Sequence, residues 1–183
     1  MDEHTVGYLT GIGAGVLIGI ILVAFILRMT KTNGKIRCEF DERQARIRGT
    51  GYKYGFYALI TCNILYAVVW MAAEAMGKTI PVETDVAVFM MIFLSVIVMI
   101  SYLIWHDAYF ALNEHRKRVM ISFACIALFN LWLGIMSIKD GRVVEDGVLT
   151  TGSLNLFCCI MFAIIFVVLL AKHIRESSEM GEE

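Results

Sequence analysis

Two histidines and two carboxylates fall within one short stretch: His106, Asp107, Glu114 and His115. Imidazole and carboxylate are the side chains that hold divalent metals and relay protons near neutral pH. Such a set is a candidate metal centre or acid–base site. The spacing argues for less. His106 and His115 do not follow the H-E-x-x-H pattern, in which two ligands share one helix face. The plainer reading is a water-exposed stretch between apolar segments, where charge needs no ligand to explain it. Other enzyme signatures are missing. There is no G-x-S-x-G and no phosphate-binding glycine loop, and Gly11-Ile12-Gly13 is followed by Val16 where a dinucleotide fingerprint needs glycine. Cys62, Cys125, Cys158 and Cys159 lie in apolar runs without ligand spacing and read as small hydrophobes. The chain is therefore not expected to be an enzyme, to carry a cofactor or metal, or to bind nucleic acid.

The elements that position these residues are long and apolar. Hydrophobic residues make up 58% of the 183 and charged ones 18%, against roughly 45–50% and 25% in soluble domains. A soluble core of this size cannot hide that much apolar surface, so the solvent is lipid. A spanning helix needs about 20 predominantly apolar residues. Five segments meet that length, at about 7–27, 54–76, 86–105, 119–138 and 151–171. The expected fold is all-α, a polytopic bundle of five transmembrane helices forming one domain over residues 1–175. An acidic, disordered tail is expected over 176–183. Acidic Asp2 and Glu3 precede the first segment, which is also longer than a signal peptide's apolar core; it reads as a retained helix.

Lysine and arginine orient the bundle, because they are retained on the cytoplasmic side. Eight lie between the first two segments, three at Arg116–Arg118 and two at Lys172 and Arg175. The intervening loops hold only Lys78, Lys139 and Arg142. The N-terminus is thus expected outside and the C-terminus inside. Tyr52, Tyr54, Tyr57, Tyr102, Trp105 and Tyr109 cluster at the expected inner face, where amphipathic rings favour headgroup depth.

Polar residues within the segments are few. Asn63, Asn130 and Asn155 either line a cavity or bond to neighbouring helices. Ion-coupled transporters keep an ionisable group near the midplane, and none lies there; Glu74 comes nearest, close to the outer end of the second segment. Gly7, Gly11, Gly15 and Gly19 recur every four residues on one face of the first segment. Such a row admits close helix packing, inside the monomer or in a homo-oligomer.

The longest charged run, residues 38–57, separates the first two segments. Its excess of positive charge suits anionic headgroups at the cytoplasmic face. Glu42 and Arg46 stand four apart in the favourable acid-first order, so the run reads as an amphipathic helix leading into the second segment, with Gly49 and Gly51 as a weak joint. Asp41, Glu42, Arg43, Gln44 and Arg46 form its candidate docking surface for a cytoplasmic or membrane protein partner. Within it, F-D-E-R-Q at 40–44 and A-x-x-R-G-x-x-Y-K-Y-G-F at 45–56 resemble a motif of small multi-pass bacterial integral membrane proteins, chiefly from Firmicutes. That family has no assigned function, and some members are similar to products encoded beside helix-turn-helix regulators. The resemblance implies a bacterial cytoplasmic membrane location and supplies no catalytic residues. The expectation that results is a non-enzymatic accessory, regulatory or membrane-sensing protein with a cytoplasmic docking loop. A small oligomeric channel or transporter is the alternative, and an enzyme or metal site beside His106 the third reading.

Overall fold

The computed structural model describes residues 13–14, 17–18, 20–21, 24, 31–32, 35–36, 40–111 and 116–180. The chain divides into two compact units at residues 39 and 40. In the first, the described residues between 13 and 24 are helical, and strands β1 (Lys31–Thr32) and β2 (Lys35–Ile36) pair antiparallel.

The second unit holds four long helices: α1 (Glu42–Ala75), α2 (Thr84–Trp105), α3 (Arg116–Lys139) and α4 (Leu154–Met180). Each is long and apolar enough to cross a membrane, and among the described residues these four are the only such helices. This corrects the expected five-span bundle to four. Most of the expected first span, including Gly7, Gly11, Gly15 and Gly19, lies outside the described residues, as does the N-terminal side assignment that depended on it.

The four spans differ from their expected limits in an informative way. Helix α1 begins well before residue 54 and has no break at Gly49 or Gly51. Its 34 residues reach about 51 Å at 1.5 Å per residue, far more than the ~30 Å hydrocarbon layer requires. The first turns therefore stand in water. Helix α4 also continues past residue 171, so Glu176 is helical rather than part of a loose tail.

The helices pack as a row in the spatial order α1, α2, α4, α3. Close approach of α1 to α2 depends on Gly51 and Gly55. A Cβ at Gly51 would stand 2.6 Å from Leu103 Cδ2, and one at Gly55 would stand 3.0 Å from Met99 Cβ. The Gly55 carbonyl also accepts a hydrogen bond from Ser95 Oγ at 2.8 Å. Gly134 plays the same part where α3 meets Leu156 of α4. Without a hydrophobic drive between helices in lipid, small residues let backbones come near enough for dispersion to hold them.

The core centres on Ile104, Phe110, Met161, Ile165 and Leu169. Much of the remaining apolar surface is exposed, including Ile64, Leu65, Val68 and Val69 on α1. In water that exposure would be ruinous; in lipid it is the expected outer face. The chain is thus a multi-pass helical membrane protein.

The end of the bundle opposite Glu42 is closed by a small hairpin, β3 (Val144–Glu145) paired with β4 (Val148–Leu149). Asp146 and Gly147 form its turn with φ of 50° and 78°, the left-handed pair that a two-residue hairpin requires. The α1–α2 linker is stitched to it: Leu149 N donates to Pro81 O and Glu83 N to Leu149 O, each at 3.0 Å.

Candidate functional site

The charged run and the stretch after α2 converge on one structure at the basic end of the bundle. Its foundation is the start of α1. Asp41 is the N-cap, accepting from Gln44 N at 2.5 Å, while Gln44 Oε1 accepts from Asp41 N at 3.3 Å. This capping box satisfies two of the donors that every helix leaves unpaired at its N-terminus. The same Gln44 is buried, and its amide nitrogen donates to Asp107 O at 2.9 Å and Phe110 O at 3.2 Å. One turn later Arg48 donates to Ala108 O at 3.2 Å and, more distantly, to Tyr109 O at 3.5 Å. Its other terminal nitrogen reaches Tyr52 Oη at 3.0 Å, and its guanidinium lies 4.0 Å from the Phe40 ring centre.

Four consecutive linker carbonyls, residues 107–110, are thus held by two side chains of α1. The reason is burial. Ala108, Phe110 and Ala111 tuck into the bundle, where a carbonyl without a partner costs free energy comparable to a lost hydrogen bond. The linker is in turn shaped by Asp107, which ends α2 with φ of 58°, a left-handed conformation that Asp tolerates better than most residues.

The Asp107 carboxylate faces the other side of the bundle. Lys172 Nζ on α4 lies 3.0 Å from Oδ2, and Arg116 at the start of α3 lies 3.6 Å from Oδ1. Arg116 also meets Glu176 at 2.7 Å, and Lys172 meets it at 3.6 Å. Lys172 completes its contacts on the Trp105 carbonyl at 3.3 Å. All four helices therefore meet at residues 107–110: α1 through backbone bonds, α2 by continuity, α3 and α4 through ion pairs.

Of the proposed docking residues, Asp41 and Gln44 commit their side chains to the capping box, and Gln44 alone is buried while Asp41 stays exposed. Glu42, Arg43 and Arg46 are exposed. Of the proposed metal ligands, His106 turns its Nδ1 to Tyr102 O at 2.9 Å and packs its ring 4.1 Å from that of Tyr102. Asp107 is committed to the ion pairs, and Glu114 and His115 lie outside the described residues. Among the described residues no three His, Cys, Asp or Glu side chains group closely enough to hold a metal. Asn63 and Asn130 donate to carbonyls of their own helices, Leu59 O at 2.8 Å and Ile126 O at 2.9 Å.

Sequence reasoning missed Gln44 and Arg48 as linker clamps, and read Arg116 and Lys172 only as orienting charges. One signal was available: a Gln at the third helical position after Asp is a capping-box pattern. Nothing local marked its second task.

No protein family, curated protein or solved structure matches the chain. Fold and site define its class: a multi-pass helical membrane protein whose four described spans are tied together at one basic end.

Proposed function

We propose that the chain is a non-enzymatic accessory or regulatory membrane protein that docks a protein partner on the exposed first turns of α1. The basic end carries Arg43, Arg46, Arg48, Lys53, Arg116–Arg118, Lys172 and Arg175, against Lys78, Lys139 and Arg142 opposite; the positive-inside rule puts it in the cytoplasm. The resemblance of residues 40–56 to the Firmicutes membrane family points to a bacterial cytoplasmic membrane. The observation that carries the reading is the clamp itself. Glu42, Arg43 and Arg46 project into water from the same helical turns whose Gln44 and Arg48 hold the linker that α3 and α4 also grip. A partner that tilts those turns acts on all four helices at once, which is what a sensing or regulatory subunit requires. No comparable observation among the described residues favours a channel, since Asn63 and Asn130 are satisfied by their own helices.

The test is affinity capture of the tagged full chain from its native membranes, with and without Arg43→Ala and Arg46→Ala. A stoichiometric partner whose recovery falls at least tenfold in the double variant is the expected result. An unchanged set of captured proteins overturns the docking reading.

A further inference from the structure

A cavity of about 420 Å³ opens beside the ion-pair cluster, within the size range of small-ligand sites, roughly 300–1,000 Å³. Its floor is apolar, made by Ile104, Phe110, Met120 and Leu169. Its rim is charged, made by Asp107, Arg116, Lys117, Lys172, His173 and Glu176. Among the described residues, three permanent cations face two carboxylates there, an excess of one positive charge before His173 is considered. Lys172 is consumed: its ammonium already meets Asp107, Glu176 and the Trp105 carbonyl. Arg116 is braced between Asp107 and Glu176 but has five donors, so part of its fork stays open. Lys117 and His173 are exposed and have no partner among the described residues. The level in the membrane is fixed by Trp105 and Tyr109 near the cavity, rings that favour headgroup depth.

We propose that this cavity binds the phosphate of an anionic phospholipid. Open donors of Arg116, Lys117 and His173 receive the phosphate oxygens, and the floor of Ile104, Phe110, Met120 and Leu169 receives the start of an acyl chain. Guanidinium groups favour phosphate because their donors match two of its oxygens at once, and basic pockets between membrane helices suit lipid headgroups. A soluble phosphate shares the first contact but has no use for the apolar floor. This inference is independent of the docking reading, since it rests on the α3–α4 side of the cluster and not on Glu42, Arg43 or Arg46.

Native mass spectrometry of the full chain in detergent tests it, with phosphatidylglycerol and phosphatidylcholine as probes and inorganic phosphate as competitor. The expected result is one retained phosphatidylglycerol per chain, preferred at least tenfold over phosphatidylcholine and undisturbed by millimolar phosphate. The double variant Lys117→Ala/His173→Ala, which spares every ion pair, should lose most of that preference. Arg43→Ala/Arg46→Ala, at the same end but away from the cavity, should keep it. Equal retention of the two lipids overturns the proposal, as does equal loss in both double variants, which would mean diffuse surface attraction. Displacement by inorganic phosphate overturns the lipid assignment.

Discussion

The Gln44 amide nitrogen lies 2.9 Å from the Asp107 carbonyl oxygen, while the Asp107 carboxylate lies 3.0 Å from Lys172. One residue is thus held from α1 through its backbone and from α4 through its side chain. Removing the first hold leaves the buried Phe110 carbonyl and the half-buried Asp107 carbonyl without their donor, at about 1–3 kcal/mol. Gln44→Ala should therefore lower the unfolding temperature in detergent clearly. Gln44→Glu keeps the cap acceptor but removes both amide donors, and should not restore it. Full stability in Gln44→Ala would show that water replaces the clamp.

At Asp107, charge and backbone conformation separate by substitution. Asp107→Asn keeps a residue that accepts positive φ and removes the carboxylate from Lys172 and Arg116. These groups are partly exposed, so solvent screening limits the loss to about 1 kcal/mol. Asp107→Val should cost more, because a β-branched side chain at φ of 58° adds roughly 1–2 kcal/mol of strain. Equal unfolding temperatures for the two variants would rule out a contribution from the left-handed backbone.

Glycines on α1 should divide by what a side chain would meet. Gly55→Leu drives into Met99 beside the α2 backbone and should cost about 1–3 kcal/mol by overpacking. Gly49 has nothing within 4 Å of a Cβ, so Gly49→Ala should be neutral or stabilise by up to ~1 kcal/mol through helix propensity. Thermal unfolding of the pair in detergent checks both signs.

Single cysteines at Glu42 and Val144, introduced into a background without native cysteines, should label from opposite sides of the membrane. The first stands at the basic end with Asp107 and Lys172, the second in the hairpin that closes the other end. Labelling of both by one impermeant reagent would contradict the four-span arrangement.

The span limits show how far local reading reaches. The segment expected at about 86–105 is α2, which starts two residues earlier at Thr84 and ends at Trp105, because Pro81 and the charges around it interrupt the apolar run sharply. The charged run and the segment expected from residue 54 are one continuous helix, α1, with no joint at Gly49 or Gly51, because hydropathy marks where lipid begins and not where hydrogen bonding begins. Gly7, Gly11, Gly15 and Gly19 lie outside the described residues; within them, the close approach of α1 to α2 rests on Gly51 and Gly55. Gly51 and Gly55 stand in a charged, aromatic stretch that suggests an interface with water, and only the approach of Leu103 and Met99 shows why they are small.

That the chain lives in lipid, where most spans lie and which end is basic are all legible along the sequence. Those properties are local: each unbroken apolar run answers to the bilayer without reference to the rest of the chain. Packing of the helices is what brings Gln44 to the linker, 63 residues away from Asp107, and makes Arg116, Lys172 and Glu176 partners rather than separate surface charges. A buried carbonyl accepts any donor that the fold brings within reach, and the distance along the chain leaves no trace of which donor that is.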